Sequence, residues 1–195
     1  MLAVLVPTFG KSYFGDTTLA SKKFDQLTIL GVANLDGVTA TEISITGPMT
    51  AATITANAIE VIGPVKLIKS HLKKVLITGP VSLNKVKSDT VTITGYSDFT
   101  DVSISKSLTI TGMLNASHSR FNTVTLTMSE SVLKDSLAKS IVVKCPDSDE
   151  SHQKLMFYGN TRVDMVEFES GHGEVHVYGK NVKVGKVKGA EVIQH

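Results

Sequence analysis

Tryptophan is absent from the 195 residues, and cysteine occurs once, as Cys145. A single cysteine excludes an internal disulfide framework and a thiolate zinc cluster, and leaves the compartment open. Arginine is scarce too: Arg120 and Arg162 are the only two, and the other cations are lysines. Bidentate reading of bases or phosphates is therefore poorly supplied. The net charge of +2 provides little drive toward nucleic acid or an anionic membrane. The apolar run from Leu2 to Val6 is too short for a membrane span or a signal-peptide core, so no transmembrane segment is expected. An exported form would carry its signal upstream of Met1. The triplet Gly10-Lys11-Ser12 lacks the earlier glycine of a phosphate-binding loop, because Leu5 stands there, and no nucleotide or other cofactor is implied.

What the chain does have is a repeat. The phrases LTILG (27–31), ISITG (43–47), IEVIG (59–63), VLITG (75–79), VTITG (91–95) and LTITG (108–112) place Gly31, Gly47, Gly63, Gly79, Gly95 and Gly112 at intervals of 16 residues, with one of 17. Decayed copies follow as VTLTM (124–128) and IVVKC (141–145). Counting from each first apolar residue, positions 1 and 3 are Leu, Ile or Val, which sends both to one face of a strand. Position 5 is the glycine of a corner. Position 6 is Pro48, Pro64, Pro80 and Pro146, fixing φ just past the bend. Position 9 reads Leu35, Ala51, Leu67, Leu83, Phe99, Ala116 and Val132, and position 14 includes Ala40, Ala56, Leu72, Ile104, Phe121 and Leu137.

A unit this short cannot bury its own apolar face, whereas stacked units can. The expected fold is all-β: a single-stranded parallel β-helix, right-handed, with 16–17 residues and three short strands per coil. Nine or ten coils would make a rod on the order of 45 Å long. One domain spans 1–195. Residues 1–26 lie outside the repeat as a cap or covering segment, 27–145 form regular coils, and 146–195 form irregular last coils and a C-terminal cap.

Such a fold specifies a surface more than a reaction. Thr92 and Thr94, Thr109 and Thr111, and Thr125 and Thr127 should form two outward columns on three consecutive coils. They are a candidate contact face, similar to the threonine face of ice-binding β-helices. Exposed strand threonine is also simply good β-chemistry. Leu30, Ile62 and Leu76 interrupt the array and should point outward, covered by residues 1–7 or by a partner. Lys66, Lys69, Lys73, Lys74, Lys85 and Lys87 crowd into two coils as a candidate polyanion patch or a merely solvated face. His172 and His176 lie four apart without a carboxylate or third histidine at ligand spacing, so no metal site is assigned. The acids are scattered with no defined basic partner, so no catalytic residue is assigned. Cys145, in a corner position, reads as a buried structural thiol.

The coils of xIxG followed by proline and alternating apolar residues, as in ITGPVSL (77–83), resemble bactofilins over about 27–145. The tail VEFESGHGEVHVYG (166–179) resembles the small β-helical heads of bacterial surface adhesins. The first resemblance implies end-to-end polymerisation in the cytoplasm, and the second implies export and a binding role at the cell envelope. The leading expectation is a non-enzymatic, structural or surface-binding, adhesin-like module of the bacterial cell envelope. Its partners would be further copies of itself or an envelope polymer or glycan, and not nucleic acid. The competing expectations are a bactofilin-like polymer subunit, a β-helix related to polysaccharide lyases and hydrolases, and ice binding.

Overall fold

The computed structural model describes residues 10–127, 130–145 and 153–195. Within them every regular element is a strand, and no helix is long and apolar enough to cross a membrane. Each coil contributes one strand to each of two sheets. The first three coils are β1 (Lys11–Phe14) and β2 (Thr17–Ala20), β3 (Lys23–Leu30) and β4 (Ala33–Asp36), and β5 (Thr39–Thr46) and β6 (Met49–Ala52). Next come β7 (Thr55–Ile62) and β8 (Val65–Ile68), β9 (His71–Thr78) and β10 (Val81–Asn84), and β11 (Lys87–Thr94) and β12 (Ser97–Thr100). Then follow β13 (Ser103–Thr111) and β14 (Leu114–Ser117), β15 (Arg120–Thr127) and β16 (Glu130–Lys134), and β17 (Leu137–Lys144) and β18 (Lys154–Tyr158). The last two are β19 (Arg162–Phe168) and β20 (Gly173–Tyr178), then β21 (Lys183–Lys188) and β22 (Ala190–Gln194).

All odd strands join one parallel sheet of 11 strands and all even strands a second sheet of 11. The protein is a parallel β-solenoid of 11 rungs, about 48 Å long at the usual strand spacing. The three apolar segments expected per coil are present. The third of each coil runs on into the first of the next as one long strand. Consecutive exposed residues such as Thr41 and Glu42, or Lys73 and Lys74, break the inward-outward alternation and mark the bend within it.

Three findings revise the reading of the repeat. Residues 10–26 are not outside it: Lys11 to Phe14 pair with Leu27 to Leu30, and Gly15 donates its N–H to the Leu30 carbonyl as later corner glycines do. Polar Lys11 in place of an apolar residue at position 1 hid this coil. Second, Leu133 and not Val132 stands opposite buried Ala116, and Ala138 and not Leu137 stands opposite Phe121. An extra residue in that coil shifts the count by one, leaving Leu137 exposed. Third, Cys145 is exposed. The expected covering role of 1–7, Pro146 and the acidic stretch 146–151 lie outside the described residues. The tail supplies further rungs: Val143 stands opposite Phe168, and Val166 opposite Val187, through longer coils.

One hydrophobic column system fills the interior. Leu27 and Ile29, Ala33 and Leu35, Val38 and Ala40 all point inward and are buried, and successive coils repeat the pattern. Volume is traded within a coil: Ala51 accompanies fully buried Met49, and Ala116 accompanies Phe121, whose ring lies 6.3 Å from that of Phe99. Such compensation keeps cross-sections constant while individual columns vary.

Two corners close each coil. At the first, Gly31 through Gly112 adopt φ between +132° and +143°. A Cβ on any of them would run into the carbonyl oxygen of the glycine one rung before. The second corner, at position 11, is left-handed yet mostly built from other residues. Ser21, Thr53, Lys69, Lys85, Asp101, His118 and Asp135 have φ between +49° and +56°. There the side chain points to solvent, so the strain is local. Beside it, Ser119 Oγ accepts the Val102 N–H, Ser136 Oγ the Ser119 N–H, and Thr161 Oγ1 the Ser136 N–H.

The two corners should respond oppositely to substitution. Gly63→Ala combines a backbone collision with a disfavoured φ and is expected to cost about 3 kcal/mol or more. Thr53→Gly relieves a left-handed penalty of about 1–2 kcal/mol against a glycine entropy cost of roughly 0.5–1 kcal/mol, so it should be neutral to mildly stabilising. Chemical denaturation of both variants reads the difference directly.

Candidate functional site

Outward positions on the long sheet form columns in strict register. Thr92, Thr109 and Thr125 stand one above another, as do Thr94, Thr111 and Thr127, and Thr78 extends the second column one rung before Thr94. That second column begins with Phe14 and Leu30, then Thr46 and Ile62. Phe14 is 78% exposed, Leu30 45%, Ile62 54% and Leu76 36%. Phe14 and Leu30 are neighbours, Thr46 separates them from Ile62, and Leu76 stands in the first column between Glu60 and Thr92, so the expected apolar patch is not continuous.

The lysines do not gather on one face. Lys66 lies on the short sheet between Thr50 and Ser82, Lys69 and Lys85 occupy the left-handed corner, and Lys87 opens β11. Lys73 and Lys74 sit at the bend of β9. The expected patch is a girdle around two coils, because adjacent positions in a 16-residue coil diverge around its perimeter.

The bend instead creates a groove. Its floor is the outer side of Ile104, Phe121 and Ala138, and it has a volume of about 540 Å³. Arg120 stands opposite Leu137, and Leu137 opposite Arg162. The two arginines are thus two rungs apart on one wall, about 9.6 Å along the axis. Lys139 and Asp164 belong to the other wall. Arg120, Lys139 and Arg162 are exposed, and none forms an ion pair with a described residue. Just before the groove, Asp89 is already engaged: it accepts from Ser105 at 2.8 Å and pairs with Lys106 at 3.1 Å. Those contacts hold its carboxyl below the ordinary range. Position counting places Arg120 but not Arg162, which follows the irregular coil.

A second cluster lies on the outer face of the last rungs. Lys154 Nζ is 3.2 Å from Glu174 Oε2, which is also 2.8 Å from His176 Nε2. A carboxylate there accepts the Nε2–H, leaving Nδ1 to face His195 Nε2 at 3.0 Å. The imidazole centres are 5.3 Å apart with planes within 11°. That separation is about the greatest such a nitrogen contact permits, so the two nitrogens lie in line, as a hydrogen bond between them requires. Tyr158, Tyr178 and His195 stack along the axis at 4.4 and 4.3 Å. Burial, with Tyr178 alongside, raises the Tyr158 hydroxyl pKa.

His176 thus has a carboxylate and a second histidine, Glu174 and His195, beside it, where sequence spacing alone showed neither. The alternation in EVHVY (174–178) already puts Glu174, His176 and Tyr178 on one face; only the coil closure brings His195 there. Among the described residues no three metal-ligating side chains lie close enough to hold one ion. Among the described residues one acid, Asp164, lines the groove; Asp135, elsewhere, accepts the Asn160 N–H at 2.8 Å, which lowers its pKa more than the nearby His118 does.

Fold and surfaces together define a parallel β-solenoid with one basic groove and one carboxylate–imidazole chain. Compared with protein-family models, curated proteins and solved structures, the chain matches none.

Glu174 is held below the ordinary 4.5 of a glutamate by the His176 hydrogen bond first and Lys154 second. A depressed folded pKa stabilises above the unfolded value and loses that contribution as pH falls through the folded one. Amide protection in β20 and β22 should therefore weaken on acidification below 4.5, relative to β7 and β9. Glu174→Gln should flatten that difference. Hydrogen exchange followed by mass spectrometry reads both.

Proposed function

We propose that the protein is a non-enzymatic structural and surface-binding module of the bacterial cell envelope, adhesin-like in the sense of presenting a rigid face. The supporting observation is that both sheets stay parallel and in sequence order through 11 rungs, with the outward columns interrupted only by a bulge in β13. Side chains at one position repeat at a fixed spacing of about 4.8 Å, which suits an extended, repetitive partner lying along the axis. A rod whose interior is filled by Leu, Ile and Val contributes stiffness, and its outer chemistry can vary without disturbing the core.

Co-sedimentation with washed bacterial envelope fractions tests the reading. The purified protein should pellet with the insoluble fraction and stay soluble alone. Filaments of the isolated protein in negative stain would replace this reading with a polymer subunit. Release of reducing ends or unsaturated products from polysaccharides would replace it with an enzyme.

A further inference from the structure

From the groove at the bend of β13, β15, β17 and β19 we infer a binding site for a linear polysaccharide bearing carboxylates, a polyuronate class of ligand. This deepens the surface-binding reading and rests on it. Both arginines of the chain stand on one wall with Leu137 between them. Nothing in the coil requires this: position 13 points outward, and other rungs place His71, Lys87 or Ser103 there. Guanidinium groups match carboxylates through two parallel hydrogen bonds, which lysine cannot reproduce. With no carboxylate of the described residues paired to Arg120, Lys139 or Arg162, their donors are available to a ligand.

The spacing selects a linear polymer. Arg120 and Arg162 are two rungs apart, about 9.6 Å, and Lys139 serves the rung between them from the opposite wall. A pyranose in an extended chain advances by about one rung, so alternate carboxylates would reach the two arginines. Exposed Leu137 offers an apolar contact to the C–H face of the middle sugar. Ser105 and Asn122, whose donors already reach Asp89 and the Lys106 carbonyl, leave their oxygens to accept from sugar hydroxyls. Three cations and one acid, Asp164, suit a polymer of modest charge density better than a polyphosphate or nucleic acid backbone, which carries its charges at shorter intervals, and the groove has no exposed aromatic side chain for base stacking. The carboxylated glycan is the better fit.

Binding of fluorescent polygalacturonate to the whole chain, with neutral dextran, polyphosphate and duplex DNA as competitors, tests the site. Arg120→Gln and Arg162→Gln should each weaken binding about tenfold, as loss of a charge-assisted pair does. Arg120→Lys should not restore it. Lys66→Gln and Lys69→Gln, which remove the same charge elsewhere, should change affinity less than about twofold. All these side chains are exposed, and circular dichroism confirms that each variant folds. Equal losses at Lys66, unchanged binding in the arginine variants, or stronger competition by DNA or polyphosphate would overturn the assignment. If polygalacturonate is not bound but envelope fractions still are, the groove assignment fails alone. If neither is bound, the surface-binding reading fails with it.

Discussion

Each corner glycine sits where the preceding glycine's carbonyl oxygen fills the space its own Cβ would take. This close backbone approach allows each coil to settle onto the last in unchanged register, and the rest of the solenoid follows from it. Gly31, Gly47, Gly63, Gly79, Gly95 and Gly112 are thus one continuous column and not six independent turns. A side chain at one member would push two coils apart and disturb the hydrogen bonds of both sheets. The proline that follows in three coils suits the same corner, since its carbonyl accepts from the preceding coil and its missing N–H is not called on there.

After Gly112 the glycine column ends, Cys145 standing where a later corner glycine would, and other devices take over. The hydroxyl relay of Ser119, Ser136 and Thr161 supplies acceptors to buried N–H groups at the opposite corner, where an unpaired donor would cost about 1–3 kcal/mol. Asp135 holds the Asn160 backbone of the first wide coil, and Tyr158, Tyr178 and His195 stack across the last three rungs. The regular half is aligned by backbone shape and the wide half by side-chain ladders. Coil length is free to grow only where the glycine column has ended.

This division explains what was legible beforehand. Glycine spacing and Leu/Ile/Val alternation exposed the period, the parallel stacking and most of the core, because both arise from constraints that only a few residue types satisfy. The left-handed corner left no comparable trace: serine, threonine, lysine, aspartate and histidine all serve there with outward side chains. The first coil was masked by Lys11, although Gly15 stands 16 residues before Gly31. Counting then slipped by one at Val132, where a single added residue moves an apolar side chain from the core face to the surface. Arg162 and His195 lie beyond coils of unequal length, so their neighbours could be found only once the chain was closed in space.

The same asymmetry separates structural from functional positions on the surface. Inward columns, the glycine corner and the hydroxyl relay are dictated by packing, and their residue types are accounted for when the coil is built. Position 13 is under no such demand, since its side chain leaves the coil at the edge of a bend that any outward residue would tolerate. An exposed leucine stands between the only two arginines, with no carboxylate of the described residues paired to them, and coil packing does not call for this arrangement. The rung spacing of about 4.8 Å then sets the interval at which a ligand lying along this wall would meet the two guanidinium groups.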